Sequence, residues 1–572
     1  MIIKKEVLWN KDYANDGILY FSQRIVEMLD FRTIDIYRAP VSNTTSLIKE
    51  YLNVYEGAAK EHNLEVILQE TVFSLENDII LLEKFGDDKI REIVKKIHSS
   101  KDKERVLEYL FTTIAPKYLE WTKEYLTKII FESKSKKKIE KAVRCFIPQL
   151  LNTGYNRDDI YRRAREILFS KNPVGAAKEF IDYYDGKYKE FTVYFGLNLA
   201  LKDFEKILKD RLSIEISKKR HLELWDDYFE VCKKKVKAYD AGSAAELVRT
   251  QVELFVSYFQ FFGNFSGSLI QNNAIILSSD GKEHSALMTY NKYNTVEEGN
   301  KIQIGEVAEK VVTCLVYGSR CSMTLLNKIT QMHNRAISNN GLQNGFLNFW
   351  SILEVLCVKK EGNKINQVIE KVVPILKKDY IVCIMEDLAQ NLKTILGDDA
   401  FSSFISKIDE GKSNHEKIAM FLLLEKYNKD FDTFTDGFVN YPVIRSRMIN
   451  IHDDFSTNTR AYLNLSERYA QRVTWHLFRI YRVRNSIAHN GQRHKLIKDI
   501  GEHLHSYVDA VMLNVIVKLA TTQLCKEENV FVSDSFEIDN INAKLSSVEP
   551  FNEETVKLLF QPEIGTINYF EE

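Results

Sequence analysis

Apolar positions recur through most of this chain at spacings of three and four, the repeat of one helix face. The clearest run covers 464–489, where Val473, Leu477, Ile480, Arg484 and Ile487 share a stripe. Asn464, with Glu467 three residues on, predicts the N-terminal cap of this helix, and Asn490-Gly491 predicts its stop. Arg484 therefore takes a seam position among apolar neighbours. The adjoining stripe holds Phe478, Arg482, Asn485 and His489, so Asn485 and His489 face the same way, one turn apart. Arg484 and His489 are five positions apart, which at roughly 100° per residue leaves them about 140° apart around the axis. One straight helix does not aim both at a single atom.

The same reading predicts amphipathic helices over 17–31 and 64–85, with breaks at Lys101-Asp102 and at Pro116. Two helices follow over 139–168, where Gly154 stops one and Asn156 with Asp159 caps the next, and Asn172-Pro173 opens another. The stretch 191–195 is aromatic and β-branched, the signature of a strand. A strong helix covers 238–262, and its Phe255, Tyr258, Phe259, Phe261 and Phe262 are expected in a core. Segments 273–278 and 283–290 read as a hairpin about Asp280-Gly281, with a further strand at 302–304. Helices then recur near 342–358, 364–396, 414–428, 464–489 and 500–523. Asp499 and Glu502 form a capping pair for the last, and Leu504, Val508, Val511 and Val515 its stripe.

The expected fold class is mainly α. A helical N-terminal region spans 1–263, a small β-containing insertion 264–320, a helical bundle 321–525 and a polar, acidic tail 526–572.

Composition agrees. A chain of 572 residues is too long for one ordinary core, and 8 prolines and 23 glycines punctuate it sparsely. Charge is balanced, 79 basic against 80 acidic residues, so nucleic acid would have to be met by a local patch rather than an overall field. The 7 cysteines are scattered without a C-x-x-C pair, which suits reduced thiols in the cytoplasm. No apolar run approaches the roughly 18 residues of a membrane span, and the first residues lack a signal-peptide core, so no membrane partner is expected. Phosphate-binding G-x-x-x-x-G-K-[ST], dinucleotide G-x-G-x-x-G and nucleophile-elbow G-x-S-x-G motifs are absent, and the charged run 133–138 reads as a solvated helix end.

The reactive residues gather late in the chain. His489 is the last residue before the helix stop, where the negative end of the dipole favours imidazolium. A protonatable histidine with a guanidinium and a carboxamide nearby suits metal-free phosphodiester chemistry. On spacing alone Arg484 equally fits a stem laid along a core, and His489 a C-terminal cap. In the helix near 342–358, Leu347, Trp350, Glu354 and Cys357 lie at spacings of three, four and three. Glu354 then either takes a cationic partner among Arg479, Arg482 and Arg484 or sits at the stripe's wet edge. Arg479, Arg482, Arg493, Lys495 and Lys498 add positive charge around His489, either as a phosphate-positioning patch or as ordinary surface charge. His489, His494, His503 and His505 fall within 17 residues with Asp499 and Glu502, but in no metal-site spacing, and His503 and His505 lie on different helix faces. No metal or other cofactor is expected.

The run Arg484-Asn485-Ser486-Ile487-Ala488-His489 resembles the Arg-polar-x-x-x-His signature of the HEPN superfamily, and the surrounding YRVRNSIAHNG is similar to its Apea-like branch. The segment 346–356, FLNFWSILEVL, about 130 residues upstream, resembles the early helix of such domains. Together they cover roughly 325–524. The resemblance implies a metal-independent endoribonuclease in which the RNA 2′-hydroxyl attacks the adjacent phosphate. His489 would move protons, Arg484 would stabilise the phosphorane and Asn485 would orient the phosphate or His489, with Glu354, Arg479 and Arg482 in support. Arg493, Lys495 and Lys498 would hold a single-stranded RNA or tRNA. It also implies a homodimer through this domain, a phage-derived trigger or regulatory protein met by the N-terminal region, and a role in antiviral abortive infection or toxin-like growth arrest. A non-catalytic HEPN dimerisation or RNA-binding scaffold is the expectation from a different class.

Overall fold

The computed structural model describes residues 16–56, 61–133, 135–170, 172–198, 201, 204–217, 230–263, 269–288, 293, 320–338, 341–359, 361–491, 494–521 and 526–560. The fold is mainly α, with one small antiparallel sheet. Among the described residues no helix is long and apolar enough to cross a membrane. The strand expected at 302–304 and the sequence between 294 and 319 lie outside the described residues.

One hydrophobic core runs from Ile18 to Leu559 and draws on helices from both ends of the chain. Asp16–Leu29 packs on Lys136–Thr153 and on Pro442–Phe455, because nearly all of its side chains are buried. The predicted helix over 64–85 is two helices, Glu61–Asn77 and Ile79–Phe85, since the Asp78 carboxylate leaves the helical register to accept from the backbone N–H groups of Ile80 and Leu81. Pro116 does not break its helix. It lies inside Lys103–Lys128, where burial of Ile114 and Tyr118 on either side of it offsets the lost backbone bond.

The second core belongs to the sheet. Its order is β2-β3-β1-β4-β5, with β1 at Lys189–Leu197, β2 at Glu215–Ile216, β3 at Glu230–Ala238, β4 at Asn273–Ser278 and β5 at Glu283–Leu287. Phe191, Val193 and Phe195 alternate into this core beside Ala244, Val248 and Val252 of helix Ala241–Gly263. β3 escapes a hydropathy reading because Lys233, Lys234, Lys235 and Lys237 fill half of it. The hairpin uses a three-residue loop rather than a two-residue turn: Leu277 pairs with Glu283, Ser278 N–H donates to Lys282 O, and Gly281 turns the chain at φ 81°. The aromatic end of helix Ala241–Gly263 differs from expectation. Phe255 and Phe259 pack on the core, but Tyr258, Phe261 and Phe262 are exposed, because the helix outruns the sheet beneath it.

The last helices complete the larger core. Glu527–Ser547 and Glu553–Leu559 bury Val530, Leu545 and Val556, so this acidic stretch is packed structure.

Candidate active site

The motif helix, Thr459–Asn490, is longer than its pattern suggested. Asn458 caps it by accepting from Ala461 N–H at 2.9 Å, which leaves Asn464 in the helix interior. Thr459 fixes this early start by donating its hydroxyl to Leu545 O and Val548 O. The far end stops where expected: Gly491 takes φ 63° and returns its N–H to Ile487 O.

Arg484 and Glu354 meet. The Arg484 Nη2 lies 3.4 Å from Glu354 Oε1, and the same oxygen accepts from Trp350 Nε1 at 2.9 Å. Trp350 is wholly buried beside Tyr481, so the carboxylate is held from a fixed base. Arg484 Nη1 also donates to Asn485 Oδ1 at 3.2 Å. The guanidinium thus has a defined direction, while its side chain keeps 22 % of its surface open. His489 is exposed, one turn past Asn485, and has no hydrogen-bond or ion-pair partner among the described residues. Three residue types needed for phosphate chemistry therefore share the last turns of one helix.

The other basic residues are committed elsewhere. Arg479 Nε donates to Glu50 at 3.0 Å and its Nη2 to Glu70 at 2.6 Å, while Arg482 Nη2 also donates to Glu50. Neither reaches Glu354. Burial works against the Glu50 carboxylate, but Arg479 and Arg482 hold it down to about 2. Burial raises the Glu70 carboxyl, with Arg479 opposing. Lys495 donates to Asn152 O, and Lys498 pairs with Asp158 at 3.1 Å. Arg493 lies outside the described residues. Asp499 and Glu502, expected as a capping pair, both bind Arg157 Nη1, at 3.1 and 3.0 Å.

Among the described residues, two clusters have metal-ligand chemistry. His503 bonds Asp35, which also accepts from Arg472 at 2.9 Å, and His476 approaches the same carboxylate. Burial pushes the Asp35 carboxyl up, but His503 and Arg472 hold it well below the usual range. The Arg472 cation in contact makes this a closed ionic network. His505 and Asp509, one turn apart, face His333 from a neighbouring helix, and all three donor atoms lie within 4.8 Å of one another, a set that could hold a divalent cation. His503 and His505 thus go to opposite faces. Asp35, Glu50, Glu70 and His333 stand far from the motif in sequence, with no local pattern marking them.

No protein-family model, curated protein or solved structure matches the chain.

Proposed function

We propose that the chain is a HEPN-type endoribonuclease that cuts RNA by transesterification without a metal ion. The observation that carries this reading is the directed Arg484, braced by Glu354 and Asn485, on the same two turns of helix as an exposed His489 with no partner among the described residues. The RNA 2′-hydroxyl loses its proton to one imidazole and its oxygen bonds to phosphorus. The P–O5′ bond breaks, and a second acid protonates the leaving oxygen. The products are a 2′,3′-cyclic phosphate and a 5′-hydroxyl. Arg484 meets the charge that builds on the phosphorane. Because Arg484 and His489 diverge by about 140° on a straight helix, two copies across a two-fold axis supply the pair of histidines that this scheme uses. Anti-phage abortive infection or toxin-like growth arrest is the setting that the resemblance implies.

The test is cleavage of total cellular RNA in chelator by wild type and His489→Ala, with end-group analysis and mass by light scattering. Cyclic-phosphate ends from a dimeric wild type, absent with an equally folded mutant, support the reading. A stable monomer that cuts RNA removes the composite site. RNA binding without cleavage by wild type, together with no His489-dependent growth arrest, favours the scaffold, a reading helped by the engagement of Arg484 with Glu354.

A further inference from the structure

Helices Thr44–Glu56, Lys103–Lys128 and Lys136–Thr153 meet the motif helix around a cleft of about 610 Å³. This is the size of a small-ligand site. Its charge is lopsided: Lys49, Arg479, Arg482 and Lys495 line it against one carboxylate, Glu50. Burial and the facing Lys49 both push the Lys495 ammonium down, as expected where cations converge with too few anions.

The second observation concerns unused donors. The Arg479 side chain is 5 % exposed and gives Nε and Nη2 to Glu50 and Glu70, yet its Nη1 is buried without a hydrogen-bond partner among the described residues. Arg482 Nη1 is in the same state. Two unsatisfied guanidinium donors in one wall are costly unless something accepts from them. Planar guanidinium forks match phosphate oxygens, and Val54, Phe111 and Leu496 give the cleft an apolar side that a nucleobase can cover.

We propose that this cleft binds the phosphate of a nucleotide. Arg482 and His489 are seven residues apart on one helix, so they are separated by roughly 20° around the axis and about 10 Å along it. The nucleotide is therefore either a free effector bound two turns from His489 or one residue of an RNA strand that leads to it. Only the RNA alternative rests on the ribonuclease reading.

The experiment uses full-length His489→Ala protein, so that RNA stays intact, at low salt. Inorganic phosphate, AMP, ATP and a 5′-phosphorylated single-stranded RNA are titrated by calorimetry and by melting temperature. At least one nucleotide probe binds saturably, and Lys49→Glu and Lys495→Glu each weaken it by about tenfold or more. Lys49 is exposed, so Lys49→Glu leaves the unliganded melting temperature nearly unchanged, and Lys495→Glu, which also gives up its bond to Asn152 O, is compared with its own unliganded melting temperature. Free nucleotide that RNA cannot displace identifies an effector site, whereas displacement by RNA places the cleft on the substrate path. No saturable binding of any probe, or binding indifferent to both charge reversals, overturns the proposal. Cleavage by wild type is read separately, so this failure and that of the ribonuclease reading are distinguishable.

Discussion

The motif helix has a closed stretch and an open end, which use the same residue type for opposite purposes. From its middle to Arg482, Arg472, Arg479 and Arg482 are tied to Asp35, Glu50 and Glu70, carboxylates from the first helices of the chain, and Trp475 packs on Phe73 with ring centroids 5.3 Å apart. Toward its end Arg484 has a partner on the neighbouring early helix, stays partly open, and precedes a histidine with no partner among the described residues. Arg479, shared by two carboxylates and almost wholly covered, acts as a fastener, and Arg484, braced by one carboxylate and partly open, stays free to meet an anion. What separates the two is which residues the fold brings to each turn.

The largest effect expected is at the open end. His489→Ala lowers RNA cleavage about 10²–10⁴-fold, read as the initial rate in chelator, with the melting temperature unmoved. Unchanged cleavage removes the functional side of the comparison altogether. The next test sets one arginine against another. Arg479→Ala leaves Glu70 without its arginine and Glu50 with Arg482 alone, and destabilises the fold by about 3–5 kcal/mol in denaturant unfolding. Arg484→Ala costs about 0–1 kcal/mol of stability but about 10²–10³-fold in cleavage. Equal destabilisation by both would erase the distinction drawn between the closed stretch and the open end.

A finer cut concerns the brace. Glu354→Gln keeps an acceptor for Trp350 and loses the ion pair with Arg484, so stability changes by less than about 1 kcal/mol while cleavage falls several-fold. If stability and activity both stay at the wild-type level, the brace has no role. A further effect is in acid. The Glu50 carboxyl is held at about 2 in the folded chain against an ordinary 4.5. Its contribution to stability is complete above pH 4.5 and is lost as pH falls toward 2, because the unfolded chain then binds the proton more readily. Glu50→Gln flattens that limb of the stability–pH curve, and an unaltered limb would deny Glu50 a part in the fastening.

Much of the open end was legible in the sequence. Asn485 and His489 follow from helix periodicity, Gly491 from the stop signal, and the apolar setting of Glu354 from three neighbours on its own stripe. The closed stretch was not legible. Arg479 and Arg482 looked like surface charge near His489, since their partners lie more than 400 residues away and nothing local to Glu50 or Glu70 announces them. The same limit hid the start of the motif helix. Asn464 with Glu467 is a sound local cap, but Asn458 prevails because Thr459 is bonded to a segment near the end of the chain. Strand β3 was obscured by its lysines, whose spacing resembles a solvated turn until a partner strand lies alongside.

The separation of Glu50 from Arg479 has a further consequence during synthesis. These residues are 429 positions apart, so at ~5–20 residues per second a ribosome delivers the acidic half of the clasp roughly 20–90 s before the basic half. For that interval Glu50 and Glu70 wait on an unfinished protein, and the helix with Arg484 and His489 has not been made. The open end and the arginines that fasten its helix emerge together, within a few turns of each other. A product truncated before the motif helix therefore carries only the acidic half of the clasp, without the arginines that close it or the turns that hold Arg484 and His489.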